Sequence, residues 1–276
     1  MSRTWRGAGP PADRGAPGAL GWALVALRGV PLALVVFGGL ALLLSLRLAE
    51  RPIFGPARPV TPWITQGVCR VALVLLGVRY RQRGRPMTGE GAMVANHASW
   101  ADIFALNGGT RLYFVAKAEV AGWPGIGWLA RATGTLFVAR DPRQAAAQRV
   151  AFETRLLAGH RLLFFPEGTS TDGRRVLPFK STLFEALFNP ALAPRMRVQP
   201  VSVIWRAPAG EDPRFYGWWG DMDFGPHLLK LLATPGRGAV EVVWHPPLDV
   251  SAFEGRKVLA ATLEERVRGG IEAGLA

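Results

Sequence analysis

The sequence predicts an α/β domain, a mixed sheet flanked by helices, preceded by an N-terminal membrane helix and an interfacial helix. Beyond residue 90, short apolar runs of strand length alternate with stretches of helical pattern, which is typical of α/β domains. Before it, residues 29–46 form 18 consecutive uncharged positions, close to the length that crosses a bilayer. Hydrophobic residues make up 49% of the chain and charged residues 19%, which excludes a disordered protein.

The composition favours a membrane surface as partner. Lys and Arg number 33 against 20 Asp and Glu, a formal net charge of +13, yet the mean hydropathy is positive. Nucleic-acid-binding proteins are usually basic and hydrophilic, whereas a basic, apolar chain suits anionic lipid. A nucleic-acid-binding protein stays the remote alternative, although no known binding module is recognisable. With one cysteine, Cys69, a disulfide or a cysteine metal cluster is excluded, and we expect no metal.

The first two segments of the chain predict a tail and an anchor. Residues 1–18 are rich in Gly, Pro and Arg, so we expect a flexible tail. Residues 19–80 are expected to anchor the protein in the membrane. The apolar stretch 29–46 lies between Arg28 and Arg47; Arg28 is expected to snorkel, and Pro31 to lie near the helix N-terminus.

A second apolar segment, residues 63–78, contains Arg70 and is too short for a confident span. It predicts an interfacial helix or the second leg of a shallow helical hairpin. Four arginines follow at alternate positions, from Arg79 to Arg85. They form either a patch for anionic head groups or a solvated loop or strand edge.

The α/β domain is expected to cover residues 81–276. Asp141-Pro142 and Gly159 are start and stop signals for a helix over 142–158, and a second helix is expected over 257–273. Pro200 predicts an edge or a bulge in its strand. The expected strands are 92–95, 112–115, 135–138, 161–165, 198–204 and 239–243.

The segment from Asn96 to Asp102 carries the sharpest chemical signal. His97 and Asp102 are five residues apart and follow an apolar run. If a helix begins near Ser99, Asp102 folds back and accepts a hydrogen bond from Nδ1 of His97. That bond would fix the tautomer and leave Nε2 as a general base. A structural His–Asp hydrogen bond is the alternative.

Two further segments end strands on polar residues. Phe165-Pro166 leads into Glu167, Gly168, Thr169 and Ser170, a turn whose N–H groups and hydroxyls suit an oxyanion or a phosphate. Glu167 either contacts substrate or ties down a neighbouring loop. Residues 134–140 end on Arg140, and the carboxyl ends of strands are where α/β folds bind ligands.

In order and spacing, these segments resemble the glycerolipid acyltransferase family that includes bacterial lysophosphatidate acyltransferases. That family carries the blocks N-H-x-x-x-x-D, G-x-x-F-x-x-R, F-P-E-G-T-R-S and V-P-V. The matching residues are Asn96, His97 and Asp102, then Gly134, Phe137 and Arg140, then Phe165 to Thr169, and more loosely Gln199, Pro200 and Val201. The resemblance covers about residues 60–250.

The resemblance implies a mechanism and a set of partners. His97, oriented by Asp102, would deprotonate the hydroxyl of a lysolipid acceptor, which attacks the thioester of acyl carrier protein or coenzyme A. Neither an acyl-enzyme nor a further cofactor is implied. The residues expected around the acceptor are Asn96, Ser99, Arg140, Glu167, Gly168 and Thr169, with Lys117 and Lys180 as further cations.

One position departs from the family pattern. Ser170 stands where the third block has Arg, a residue associated with the acceptor phosphate, and Ser supplies no charge. Either Arg174 or Arg175 replaces it, or the acceptor has no phosphomonoester. The second case favours lyso-ornithine lipid, whose hydroxyl lies on a 3-hydroxy fatty acyl chain and whose head group is an amino acid. Lysophosphatidate is the alternative, alone or as a second acceptor.

Two other functions compete with the acyltransferase. A membrane-anchored hydrolase would use Ser99 or Ser170 with His97, although Ser99 is only two residues from His97. A catalytically inactive scaffold is the other. For an acyltransferase we expect the bacterial inner membrane, with the site facing the cytoplasm, because acyl carrier protein and coenzyme A are there.

Overall fold

The computed structural model describes residues 4–7, 9, 15–55, 57–89, 91–139 and 141–276. The described strands are β1 Val78–Gly84, β2 Gly91–Ala95, β3 Tyr113–Lys117, β4 Leu136–Val138, β5 Leu162–Phe164, β6 Arg197–Arg206, β7 Gly238–Trp244 and β8 Leu248–Asp249. The described α-helices are α1 Ala19–Phe54, α2 Thr61–Leu75, α3 Asp102–Gly109, α4 Ile126–Thr133, α5 Ala145–Leu157, α6 Phe224–Ala233 and α7 Arg256–Leu275.

The strands form one mixed sheet in the order β1-β7-β6-β2-β5-β3-β4, with β8 paired to β6. The strands β6, β2, β5, β3 and β4 run parallel to their neighbours in that series, whereas β7 and β8 are antiparallel to β6. The carboxyl ends of β2, β3 and β5 therefore meet at one edge of the sheet. Open α/β sheets bind their ligands at that edge.

Helices cover both faces of the sheet, as the sequence predicts. Met93 and Ala95 of β2 pack in the core under α1, α2, α3 and α6. Ala92 and Val94, which alternate with them, face the core formed with α5 and α7. This period of two follows from the pleat of a strand that is buried on both faces.

Helix α1 is longer than the expected span and lies against the domain. In length and composition it is the one described helix able to cross a membrane. Because it begins at Ala19, Pro31 lies inside the helix and not near its start. Arg28 does not snorkel: its Nη1 donates to the carbonyls of Leu232 and Thr234, at 3.3 and 2.8 Å. These two hydrogen bonds join α1 to the end of α6.

The second apolar segment forms α2, which packs against α1 and α3. The sheet begins directly after it, since β1 starts at Val78, three residues before the expected boundary of the α/β domain. Arg79, Arg81 and Arg83 are exposed in β1, an edge strand that pairs with β7. They therefore lie on a solvated strand edge.

The helix signals agree with the structure. Asp141 accepts from the main-chain N–H of Arg143 at 3.0 Å and begins a 3₁₀ turn that leads into α5. Gly159 adopts φ +75° just after α5, where its missing Cβ avoids strain.

The edge or bulge predicted at Pro200 is wrong. β6 is central and pairs with β2 on one side. On its other side, β8 pairs as far as Val198 and β7 begins at Val201. Pro200 lies in the gap between these two partners, where a missing N–H costs no ladder bond.

Candidate active site

His97 and Asp102 meet at the carboxyl end of β2, as their spacing predicts. Nδ1 of His97 lies 2.8 Å from Oδ2 of Asp102. The same oxygen accepts from the main-chain N–H groups of Ala98 and Ser99, at 2.8 and 3.0 Å. A carboxylate only accepts, so Nδ1 carries the proton and Nε2 has a lone pair. The His97 side chain is 21% exposed, which leaves that nitrogen able to meet a substrate.

Trp205 supplies a contact that no motif indicates. Its indole Nε1 donates to Oδ1 of Asp102 at 2.7 Å, and Asp102 has no exposed surface. Four donors thus hold the carboxylate from both sides. The imidazole can rotate little about its bond to Asp102, which keeps Nε2 aimed at one position.

Glu167 holds the main chain of His97. Its Oε1 accepts from the N–H of His97 and its Oε2 from the N–H of Leu177, each at 2.8 Å. The residue is 1% exposed, and burial raises its carboxyl pKa to about 8, against the opposing effect of the two hydrogen bonds. These contacts favour the alternative in which Glu167 holds a neighbouring loop in position over the one in which it contacts substrate.

The third block and the first are joined at two more points. Thr171 donates to the carbonyl of His97 from both its N–H and its Oγ1, at 2.9 and 3.2 Å. The ring of Phe165 stacks on the His97 imidazole with centroids 4.0 Å apart. The loop after β5 therefore fixes His97 by main chain and by ring.

Asn96 and Ser99 are buried beside the pair. The Asn96 amide donates to the carbonyl of Val203 at 3.0 Å and accepts from its N–H at 2.8 Å, which joins the loop that carries His97 to β6. Oγ of Ser99 accepts from the N–H of Ala101 at 3.3 Å and caps the turn before α3. These contacts favour positioning roles over contact with an acceptor.

The turn after Glu167 forms the exposed side of the site. Gly168 has φ +70°, and a Cβ there would lie 2.8 Å from Nζ of Lys180, so the ammonium group lies directly over the turn. Thr169 follows it and is half-buried. Lys117 ends β3 at the same edge of the sheet. Arg140 lies outside the described residues.

The arginines near Ser170 differ in their surroundings. Arg175 donates to both carboxylate oxygens of Asp172, at 3.2 and 3.0 Å, so its charge is paired. The Arg174 side chain is exposed, while its main-chain N–H donates to Oδ1 of Asp172 at 3.0 Å. Ser170 itself is buried. Arg175 therefore supplies no unpaired charge in the place that the family gives to its third-block Arg, whereas Arg174 has an exposed side chain with no described ion pair.

The N-terminal tail reaches this turn, which the sequence did not indicate. The main-chain N–H of Trp5 donates to Oγ1 of Thr169 at 3.3 Å. The Trp5 indole packs on Trp219, with centroids 5.9 Å apart, and Arg175 lies 5.1 Å above its ring. Part of the segment predicted as a flexible tail thus covers one side of the candidate site.

The arrangement argues against a serine nucleophile. Ser99 is wholly buried and Ser170 nearly so, and no described hydrogen bond joins either hydroxyl to the His97 ring. A Ser–His nucleophile needs that bond. An imidazole whose tautomer is fixed, whose Nε2 has a lone pair and whose ring is partly exposed instead suits the deprotonation of a substrate hydroxyl.

Comparisons with known proteins agree with this chemistry. Residues 78–204 match the model of the Acyltransferase family. A lyso-ornithine lipid O-acyltransferase of Rhodobacter capsulatus is 58% identical over 97% of this chain and 96% of its own. A 1-acyl-sn-glycerol-3-phosphate acyltransferase of Neisseria gonorrhoeae is 38% identical over 67% of this chain and 71% of its own.

The fold has a solved counterpart as well. The crystal structure of the 1-acyl-sn-glycerophosphate acyltransferase of Thermotoga maritima covers 89% of this chain and 97% of its own, with a TM-score of 0.57 and 21% identity. The chain belongs to the acyltransferase family, in the branch of the lyso-ornithine lipid O-acyltransferases.

Proposed function

We propose that the protein transfers a fatty acyl chain from an acyl thioester to the free hydroxyl of lyso-ornithine lipid, which yields ornithine lipid. The observation that carries the reaction is the pairing of Nδ1 of His97 with Asp102 at 2.8 Å, which leaves Nε2 as the base. The acceptor follows from Ser170 in the third block and from the R. capsulatus relative, which bears that activity in its name.

In this mechanism His97 takes up one proton and releases it again in each turnover. Nε2 of His97 takes the proton of the acceptor hydroxyl while its oxygen attacks the thioester carbonyl. The tetrahedral intermediate collapses, the C–S bond breaks, and the imidazolium returns the proton to the leaving thiolate. The carboxylate of Asp102 stabilises the imidazolium between these steps. No residue of the chain is acylated.

The donor is acyl carrier protein or a coenzyme A thioester, and the acceptor reaches the site from the membrane. Helix α1, long and apolar, supports association with the bacterial inner membrane, with the site facing the cytoplasm where both donors occur. Lys180 over Gly168 and, at the same edge, Lys117 are suitable partners for the carboxylate of the ornithine head group. Gly168 and Thr169 shape the turn beside it.

Lysophosphatidate is the second candidate acceptor, which the N. gonorrhoeae relative favours. The deciding experiment supplies the purified full chain in detergent with acyl carrier protein that carries a radiolabelled acyl chain, and with each lysolipid in turn. We expect labelled ornithine lipid, and no product from the His97→Ala variant. Labelled phosphatidate with no ornithine lipid would reject the proposed acceptor, and a His97→Ala variant near the wild-type rate would reject the mechanism.

A further inference from the structure

A second concave site lies at the opposite edge of the sheet from His97. It is a cavity of about 310 Å³, within the size range of small-ligand pockets. Arg161 precedes β5 and Arg111 precedes β3, whereas His97 and Glu167 follow their strands. Its lining residues are Phe54, Ala57, Arg58, Pro59, Pro62, Arg111, Tyr113, Ala158, Gly159, His160 and Arg161.

The polar wall of this cavity is cationic. Arg58 donates to the carbonyl of Ala132 at 2.8 Å and Arg161 to that of Met87 at 3.0 Å, while Arg111 lies 3.8 Å from the Trp63 ring centroid. Within the described part of the chain, none of the three arginines forms an ion pair with a carboxylate. Burial and the charge of Arg111 both lower the pKa of Arg161. Like charges held together without a counter-ion favour the binding of an anion.

The carboxylate that acts on Arg58, that of Glu50, is already engaged by other donors. Glu50 acts on Arg58 electrostatically, but its Oε1 accepts from the N–H groups of Val60 and Thr61. Its Oε2 accepts from Oγ1 of Thr61 and from Arg47. Glu50 therefore holds the turn between α1 and α2 and is not the counter-ion of the cavity.

His160 adds an unused donor to the same wall. The residue is 7% exposed, and its Nδ1 accepts from Nε of Arg155 at 2.6 Å. Nε2 therefore carries the proton, yet this buried atom has no partner among the described residues. Burial and nearby arginines lower the His160 pKa to about 4, so the ring is neutral. A buried N–H without an acceptor is costly, and an anionic oxygen in the cavity would satisfy it.

The rim indicates where the anion comes from. Phe54 ends α1, and Pro59 and Pro62 flank the start of α2, so the cavity lies beside the loop that joins the two apolar helices. Ile53 and Trp63 nearby are exposed. We propose that the cavity binds the phosphate of an anionic phospholipid, with Arg58, Arg111 and Arg161 around its oxygens and Nε2 of His160 as a fourth donor.

The test is native mass spectrometry of the full chain in detergent, titrated with phosphatidylglycerol and, in parallel, zwitterionic phosphatidylcholine. We expect selective retention of phosphatidylglycerol, on the order of a hundredfold weaker in Arg111→Gln/Arg161→Gln because two charge-assisted bonds are lost. The matched control, Arg143→Gln/Arg237→Gln, removes two exposed arginines elsewhere and should bind as the wild type does. Millimolar inorganic phosphate should compete for the site in the wild type.

Three results would overturn the proposal. One is equal retention of phosphatidylglycerol by the cavity variant and the control variant. Another is saturable binding of inorganic phosphate with no lipid retained, which would make the ligand a free phosphate. The third is loss of acyl carrier protein binding, with lipid retention unchanged, in the cavity variant. If the double variant unfolds, Arg111→Gln is measured instead, since no described hydrogen bond uses that side chain, with Arg111→Lys expected to restore binding.

Discussion

Replacing Asp102 by Asn tests the mechanism most sharply, because the structure surrounds this carboxylate with donors only. Oδ2 faces Nδ1 of His97 and the N–H groups of Ala98 and Ser99, and Oδ1 faces Nε1 of Trp205. An amide has one oxygen and one NH₂ group. Either orientation therefore sets a donor against a donor inside a fully buried site.

The two orientations differ in their cost. With NH₂ towards Trp205 there is one donor–donor conflict, and His97 keeps its tautomer but loses the charge that stabilises its imidazolium. With NH₂ towards His97 there are two conflicts at main-chain N–H groups, and Nδ1 becomes the acceptor, so Nε2 is no longer a base. At ~1–3 kcal/mol for each conflict, the first orientation wins. We expect kcat to fall by about 10–10², because the imidazolium loses a charge-assisted hydrogen bond worth ~1.5–3 kcal/mol, and the free energy of unfolding to fall by ~1–3 kcal/mol.

Trp205→Phe separates these two effects. In the double variant Asp102→Asn/Trp205→Phe, the amide NH₂ faces an apolar ring and the conflict is gone. Unfolding in denaturant should therefore show strong favourable coupling between the two changes. Acyl transfer to lyso-ornithine lipid should stay as slow as in Asp102→Asn, because the charge is still missing. A wild-type kcat in Asp102→Asn, or full recovery of rate in the double variant, would refute the reasoning.

Three further changes test the surroundings of the pair. Because burial raises the Glu167 pKa from 4.5 to about 8, its carboxyl binds a proton more tightly in the folded state. The stability advantage of wild type over Glu167→Gln should thus fall by about 1.4 kcal/mol per pH unit across that window; a flat difference in denaturant unfolding contradicts it. Ser170→Arg should raise the use of lysophosphatidate relative to lyso-ornithine lipid about tenfold, and an unchanged product ratio would exclude this role. Trp5→Ala removes the packing on Trp219 and should speed hydrogen exchange in the peptide that contains Thr169; unaltered exchange would mean that the tail does not protect the turn.

Three of the strands that the sequence predicts, β2, β5 and β6, are buried on both faces. Apolar runs at 92–95 and 198–204 correspond to β2 and β6, in the centre of the sheet. β1 was not predicted because an edge strand tolerates arginines at exposed positions, and its pattern reads equally as a loop. β8 has two residues, too few to show the alternation of side chains that indicates a strand. Element ends that depend on local capping, such as the start at Asp141, follow from the sequence.

In the candidate site, the sequence predicts contacts between residues that are close in the chain and misses contacts between residues that are far apart. His97 and Asp102 are five residues apart, so a single turn of chain brings them together, and local reasoning finds them. Trp205 lies 103 positions from Asp102 and Trp5 lies 164 positions from Thr169. Only the pairing of β6 beside β2 brings the indole of Trp205 to the carboxylate. The spacing of residues in the sequence does not predict such a contact.

The choice of acceptor depends on whether an arginine near the third block has free hydrogen-bond donors, and not on how many arginines lie there. A phosphate monoester needs a guanidinium with free donors, since bidentate contact supplies both affinity and orientation. Arg175 is one of the two arginines that could replace the missing family Arg, but its Nε and Nη2 are bound to Asp172 and its guanidinium lies over Trp5. Freeing it for a phosphate would leave Asp172, which is almost fully buried, without its cation. The cost of breaking that pair disfavours a phosphate monoester at this position, whereas the ornithine carboxylate would be bound by Lys180 and Lys117 and would not need Arg175.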